Sequence, residues 1–246
     1  RLPRFVCNDI MNSIMRLYLC DQKILLRFHH QGPAFIKAYT TNTVTSPRNA
    51  FVDTKGRIVA VFDQHQVSED EIWVVMEKQC LDRLMKHLSK FIDIADVKVT
   101  PDEKMLIYWD LGGGDKLGGP AEQSIFIPQL AGRLWLTTST QVPNVSVEEM
   151  TLFRIENNIP WQGVDFDDEP LLCVGDEEYV SYLKGCYLGQ EMIARVHYRG
   201  KPPRKLNVKL LRDCSGEQRK IMTSQVIDPG TGETIGFVFD KTGKEV

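Results

Sequence analysis

The sequence predicts an α+β fold built from short strands and a few helices. Short apolar runs separated by glycine- or proline-containing turns recur along the chain, which is typical of antiparallel strands. Longer segments carry apolar residues three or four positions apart, as amphipathic helices do. The chain has 246 residues, 42% of them hydrophobic, so it can form one large domain or two modest ones around a substantial core.

The N-terminal third is predicted to form strands, turns and a short helix. Residues 24–28 form a candidate strand, and residues 34–39 form one or two helical turns. Further along, two apolar runs flank a turn that contains glycine. This arrangement predicts a β-hairpin with Asp53 and Lys55 at its tip.

A ferredoxin-like subdomain is predicted at about residues 66–140. Apolar residues between positions 81 and 88 fall at helical spacing, with Lys and Asp between them. The strand candidates around this helix are residues 72–76, 97–99, 105–109 and 134–137. Their order, β-α-β-β-(α)-β, is that of a split βαβ module. The glycine-rich segment 112–119 is predicted to be a surface loop and not a phosphate loop, because Lys116 is followed by Leu117 and not by Ser or Thr.

The C-terminal part is predicted to contain two helices and a small β unit. Helical spacing covers residues 146–155 and 188–197, and an acidic stretch lies between them. A basic run with no acidic residue between its members begins at the end of the second helix and consists of Arg195, Arg199, Lys201, Arg204, Lys205 and Lys209. Two strand candidates, residues 206–211 and 234–239, then predict the small β unit.

The composition excludes several classes of protein. No stretch approaches the roughly 18 apolar residues that a membrane span needs, so we expect a soluble protein without a membrane partner. A net charge of -3 argues against a general nucleic-acid coat protein. The cysteines form no C-x-x-C pair and the histidines show no H-E-x-x-H spacing. We therefore expect a reducing compartment, and neither a disulfide framework nor a zinc site built from local sequence.

The most informative run is K-G-C-Y-L-G-Q-E-M-I-A-R, residues 184–195. On a helix, Glu191 and Arg195 would form an i,i+4 pair. Cys186 would stand just before the first turn, where unpaired N–H groups and the helix dipole favour a thiolate, and Lys184 would add a second cation. The alternative for an isolated cysteine is a small buried hydrophobic residue.

This run, followed by Arg199-Gly200, resembles the signature of the folate-binding YgfZ-type proteins. That family is related to the aminomethyltransferase (T protein) of the glycine cleavage system. Three weaker matches occur in the family's order. They are Gly32 with Thr41-Asn42, the hairpin Asp53-x-Lys55-Gly56-Arg57, and Arg154-Ile155-Glu156 with Ile159-Pro160, Gly163 and Asp165.

The resemblance implies an aminomethyltransferase-like folate-binding fold. An α+β region over residues 1–203, including the ferredoxin-like subdomain, and a small, short or incomplete C-terminal β-barrel over residues 204–246 would enclose a central channel. Tetrahydrofolate would bind there, with no stably bound metal. The implied role is that of an accessory factor for maturation or repair of iron–sulfur proteins, with Cys186 as its functional thiol.

The resemblance also implies partners and folate contacts. Partners would be folate and iron–sulfur client enzymes or cluster-assembly proteins, met by a monomer in the mitochondrial matrix or the bacterial cytoplasm; nucleic acid is not expected. Folate needs a slot for its pterin, polar groups at the pterin edge and cations for its glutamate tail. The residues assigned to it are Asp53, Lys55, Arg154, Tyr187, Gln190, Glu191 and Arg195. Lys184, Gly185 and Gly189 complete the motif.

Two alternatives stay open, a folate-dependent aminomethyl transferase and an RNA-binding factor related to tRNA modification. In the transferases the hairpin carries an acidic pair, whereas Ala60 and Val61 stand at those positions and cannot act as acid or base. Enzyme activity is therefore not expected, although Asp53 or Asp63 could substitute. The RNA alternative depends on the basic run, whose one interleaved aromatic residue is Tyr198.

Overall fold

The structure, a computed structural model, describes residues 15–112 and 124–242. Within those ranges the strands are β1 (Leu17–Leu19), β2 (Lys23–His29), β3 (Arg48–Val52), β4 (Ile58–Gln66), β5 (Ile72–Glu77), β6 (Lys98–Asp102), β7 (Leu106–Asp110), β8 (Ile125–Pro128), β9 (Arg133–Thr137), β10 (Arg204–Leu210), β11 (Thr223–Ile227) and β12 (Thr234–Lys241). The α-helices are α1 (Gly32–Tyr39), α2 (Leu81–Ala95), α3 (Val147–Glu156), α4 (Gln190–Arg199) and α5 (Gly216–Ile221). Among the described helices, none is long and apolar enough to cross a membrane.

A five-stranded antiparallel sheet in the order β3-β4-β5-β2-β6 forms the centre of the fold. Helices α1 and α2 cover one of its faces. Phe35 and Ile36 of α1 and Leu84 and Leu88 of α2 pack there against strand residues such as Phe28. The apolar stripe of α2 is thus buried against the sheet, as its spacing predicts.

The opposite face of this sheet packs on a second, four-stranded antiparallel sheet in the order β1-β7-β9-β8. Side chains alternate between the two faces of a strand, so Leu25 and Val75 point away from the helices. They join Ile107, Trp109 and Leu134 in a second core. The first sheet is therefore buried on both faces.

A three-stranded sheet in the order β10-β12-β11 lies at the C-terminal end. Leu206 and Phe237 of this sheet share a core with Val52 and Ile58 of the β3–β4 hairpin and with Ile193 of α4. The described strands form an open sheet, so the predicted small β-barrel is not confirmed. The division of the chain after residue 203 stays a prediction.

The predicted ferredoxin-like subdomain at residues 66–140 is also not confirmed. Its elements are present, but β5 and β6 lie in the five-stranded sheet, whereas β7, β8 and β9 lie in the four-stranded sheet. A β-α-β-β-β-α-β order within one sheet runs instead from β2 to β6. Apolar spacing finds each element but not its partner strand, because pairing depends on contacts distant in sequence. The glycine-rich segment from residue 113 onward and Cys7 lie outside the described residues.

Candidate functional site

Cys186 lies on an exposed loop that leads into helix α4. The helix begins at Gln190, with Gly189 as its N-cap in the left-handed conformation at φ 80°. The predicted helix at about residues 188–197 is therefore present, shifted by two residues because Gly189 turns the chain just before the first helical residue. Cys186 lies three residues before this N-cap, ahead of the first turn.

The β3–β4 hairpin and the cysteine motif lie in contact. Asp53 Oδ1 accepts hydrogen bonds from the backbone N–H groups of Lys55 at 2.8 Å and Arg57 at 2.9 Å, which shapes the hairpin tip. A Cβ on Gly189 would lie 2.3 Å from the backbone oxygen of Asp53, and one on Gly56 would lie 3.2 Å from the Ile193 side chain. Glycine at both positions permits this close approach. The Asp53 carboxylate thus forms the turn, whereas the Lys55 side chain is exposed.

Lys184 fixes the other end of the loop. Its Nζ donates to the backbone oxygens of Thr40, at the end of α1, and of Asn42, the latter at 3.1 Å. The Nζ also lies 5.1 Å from the centre of the Tyr187 ring. Burial and the neighbouring Lys37 lower the pKa of Lys184 to about 8, and burial raises the pKa of Tyr187 to about 12. The amine is therefore held by backbone carbonyls, and no described contact joins it to Cys186.

Arg154 is buried in an ion pair with Asp165. Its Nη1 lies 2.7 Å from Asp165 Oδ2 and also donates to the backbone oxygen of Ile159, while Nη2 donates to Ser224 Oγ at 2.7 Å. The guanidinium stacks 4.0 Å from the centre of the Trp161 ring. Only its Nε lacks a hydrogen-bond partner. The contacts of Arg154 therefore join α3 to the C-terminal sheet, and its assignment to folate stays a prediction.

The remaining motif residues lie on the surface of α4. Arg195 Nη2 donates to Glu191 Oε1 at 2.7 Å, which is the predicted i,i+4 pair, and both side chains are largely exposed. The Gln190 side chain has no described hydrogen bond, and a Cβ on Gly185 would have no atom within 4 Å. Two cations of the basic run form ion pairs, Arg204 with Glu169 and Lys209 with Asp240. These pairs are typical of a solvated surface on which acidic and basic side chains balance each other.

A central cavity, open to solvent, lies where the two larger sheets meet the segment after α3; its inner space is about 30 Å³, and the open mouth brings the empty space to about 380 Å³. Charged residues line it in pairs. Lys23 Nζ donates to Glu77 Oε1 at 2.7 Å, Arg48 Nε lies 3.6 Å from Asp63 Oδ1, and Gln129 bonds both Arg48 and Asp63. The other lining residues are Val61, Phe62, Trp109, Ile159, Pro160, Trp161, Gln162 and Tyr179.

The sequence reading missed most of this cavity. The available signal was the presence of Lys23, Arg48, Asp63 and Glu77 at the ends or inside apolar strands, because charges are rarely buried unless they are paired. Of these four residues, the sequence identifies only Asp63, as a possible substitute for the acidic pair. None of the residues assigned to folate, and not Cys186, lines the cavity, although Arg154 reaches it indirectly through Trp161.

No family model matches the chain. An uncharacterised protein of Haemophilus influenzae is 28% identical over 161 residues, 61% of this chain and 55% of that protein. The "Iron-sulfur cluster assembly factor IBA57 homolog, mitochondrial" of Mycosarcoma maydis is 28% identical over 190 residues, 67% of this chain and 47% of that protein. The "tRNA-modifying protein YgfZ" of Photorhabdus laumondii is 25% identical over 182 residues, 71% of this chain and 51% of that protein. The chain is therefore similar to proteins of the YgfZ and IBA57 type.

The fold of the chain also matches that of a solved structure. The structure of the glycine cleavage system aminomethyltransferase T from Bartonella henselae matches with a TM-score of 0.66 and 12% identity, over 94% of this chain and 79% of that one. At this identity the match establishes the aminomethyltransferase-like fold alone. The chain spans about half the length of the curated relatives it matches.

The described residues offer few groups for metal binding or disulfide formation. Among the described residues, no group of three or more His, Cys, Asp or Glu side chains could hold a metal ion. The described cysteines are all free, and Cys20, Cys80, Cys173 and Cys214 are buried. Cys186 alone in that set is accessible to another molecule.

Proposed function

We propose that the chain binds tetrahydrofolate and serves as an accessory factor for maturation or repair of iron–sulfur proteins, with Cys186 as its functional thiol. The observation that carries the proposal is the exposure of Cys186, alone among the described cysteines, within the run that resembles the family signature. Relatives named as an iron–sulfur assembly factor and as YgfZ support it. Its partners would be client enzymes or assembly proteins, in the mitochondrial matrix or the bacterial cytoplasm.

The central cavity is the proposed place for the pterin. A pterin edge carries both donors and acceptors, and the cavity wall offers both through Gln129, Asp63 and Arg48. Trp161 also lines the cavity, and its indole N–H has no hydrogen-bond partner. An unpaired donor in a partly buried site suits an acceptor on a ligand. The exposed cations Lys55 and Arg195 remain proposed contacts for the anionic glutamate tail.

A fluorescence titration tests folate binding. We expect 5-formyltetrahydrofolate to quench tryptophan emission of the full chain, and Trp161→Phe to weaken its affinity roughly three- to tenfold through loss of one hydrogen bond. Trp135→Phe is the matched control, because that indole N–H also lacks a partner but Trp135 lies in another cluster. Absence of binding to the unaltered chain would refute the folate part.

Complementation tests the thiol. In cells that lack their own protein of this family, we expect Cys186→Ser to fail to restore a four-iron enzyme. Cys20→Ala, which removes a buried thiol elsewhere, should restore it. Full rescue by Cys186→Ser would refute the role of the cysteine.

One-carbon transfer is the second candidate, and Asp63 is the observation that favours it. Asp63 lies on β4 two residues beyond Val61 and lines the cavity, so a carboxylate is present near the proposed pterin. Its carboxylate pairs with Arg48 and accepts a hydrogen bond from Gln129. Turnover of methylenetetrahydrofolate with an amine acceptor, abolished by Asp63→Asn, would support this candidate; absence of turnover would dismiss it.

A further inference from the structure

The segment of residues 40–42, between α1 and β3, is buried although its side chains are polar. Thr40 and Thr41 are 0% exposed and Asn42 is 6% exposed. Buried polar groups persist only when they are hydrogen-bonded. Many of their partners lie on residues 178–187, which we call the thiol loop because it carries Cys186.

Side chains and backbone of the 40–42 segment hold the first half of the thiol loop. Thr41 Oγ1 donates to the backbone oxygen of Tyr179 at 2.6 Å, and Asn42 Nδ2 donates to that of Glu178 at 3.2 Å. In the other direction, Ser181 N donates to the backbone oxygen of Thr41 at 3.0 Å. The two segments are distant in sequence, with 138 positions between Thr41 and Tyr179 and 136 between Asn42 and Glu178.

Lys184 holds the second half. Its amine donates to the backbone oxygens of Thr40 and Asn42, and its only described ring contact is Tyr187 of the same loop. No carboxylate pairs with this amine among the described residues, and the charged group that lowers its pKa is Lys37. The bonds to two carbonyls therefore determine where the amine, and with it the next residues of the loop, can lie.

The same segment contacts the wall of the central cavity. Tyr179 and Arg48 line the cavity, and their backbone oxygens accept hydrogen bonds from Thr41 Oγ1 and Asn42 Nδ2. A continuous set of hydrogen bonds thus leads from the cavity wall through the 40–42 segment to Lys184, two residues before Cys186.

We propose that Lys184 is a positioning residue that latches the thiol loop to the 40–42 segment and so connects the wall of the central cavity to Cys186. The connection to the cavity rests on the proposed function, because it concerns folate. The latch itself does not, and it can be tested without any ligand.

Amide hydrogen exchange of the ligand-free full chain tests the latch. Lys184→Met should speed exchange at residues 183–186 roughly three- to tenfold, the change expected for the loss of hydrogen bonds from one side chain. Lys184→Arg, which can donate to both carbonyls, should restore slow exchange. Lys205→Met, the loss of an exposed lysine on β10, is the matched control and should leave the thiol loop unchanged. Unchanged exchange in Lys184→Met would overturn the latch.

Exchange with 5-formyltetrahydrofolate tests the connection. In the unaltered chain, the ligand should slow exchange at residues 179–186. In Lys184→Met, it should bind with unchanged affinity and slow exchange at residues 179–181 but no longer at 183–186. Equal slowing of the whole loop in both proteins, or no slowing despite binding, would overturn the connection. Failure of the ligand to bind refutes the folate part of the proposed function and the connection, while the ligand-free experiment still decides the latch.

Discussion

The central cavity and the thiol loop differ in how far their functional side chains are exposed to solvent. The cavity wall buries charges and neutralises them in pairs, with Lys23 and Glu77 only 7% and 5% exposed in their side chains. The thiol loop exposes Cys186, which has no hydrogen-bond or ion-pair partner among the described residues. A small ligand gains from a site that excludes water, whereas a thiol that meets other proteins must be accessible. On the proposed function, ligand binding and thiol chemistry would therefore occupy separate places in this fold.

The sharpest test of this contrast is Glu77→Gln in the cavity wall. Burial alone would lower the pKa of Lys23, but the carboxylates of Glu77 and Asp63 raise it above its ordinary value. Without Glu77 the lysine charge is buried and poorly compensated, so the free energy of unfolding should fall by about 3–5 kcal/mol. Urea unfolding measures the change. A loss as small as that of an exposed pair would mean that water reaches this wall.

The second test is Gly189→Ala at the junction of loop and hairpin. The added Cβ would lie 2.3 Å from the Asp53 backbone oxygen, at a residue with φ +80°. The clash and the left-handed conformation should together cost about 2–3 kcal/mol of the free energy of unfolding. Gly200→Ala, where the nearest atom would be 3.8 Å away, is the control. Equal effects of the two substitutions would show that the hairpin does not fix the loop.

The third test is the pH dependence contributed by Lys184. Its pKa is lowered from 10.5 to about 8 in the folded chain. Between these values the unfolded chain binds more protons, so the free energy of unfolding should rise with pH from 8 to 10.5. After allowance for solvent screening, we expect a rise of about 1–2 kcal/mol relative to Lys184→Met. Parallel stability curves for the two proteins would contradict the burial of this amine.

The smallest effect is expected for Arg195→Ala on the surface of α4. The pair of Arg195 with Glu191 is exposed, with side chains 56% and 83% accessible. Its loss should lower the free energy of unfolding by about 0.3–0.5 kcal/mol, and less at high salt. Thermal unfolding at two salt concentrations measures this. A loss above that range, insensitive to salt, would place Arg195 in a structural role like that of the cavity charges.

The sequence predicts the local features of this molecule well. The hairpin with Asp53 at its tip, the amphipathic helix α2 and the Glu191–Arg195 pair all follow from spacing over a few residues. The resemblance to YgfZ-type proteins follows from the run around Cys186, and the relatives that the chain is similar to agree with it. Each of these inferences depends on neighbours in sequence, where spacing and turn chemistry decide the outcome.

The features that depend on distant contacts could not be predicted in the same way. The strands between residues 66 and 140 divide between two sheets, which apolar spacing does not reveal. The charges of Lys23 and Glu77 are 54 positions apart, so nothing local marks them as one buried pair. Arg154 was assigned to folate from the motif, while the structure shows it bonded to Asp165 and Ser224. Motifs identify residues, but the packing of distant segments decides which of them face a cavity.

The fixed ends of the thiol loop limit how far its sulfur can travel. Lys184 is held by two carbonyls and Gly189 by the hairpin, so only residues 185–188 lie between the two anchors. A chain extends at most about 3.3–3.6 Å per residue, so the Cα atom of Cys186 stays within about 7 Å of the Cα atom of Lys184. That range is too short for a swinging arm that carries a group between distant sites. Any molecule that reacts with this sulfur must be brought to the surface of the chain.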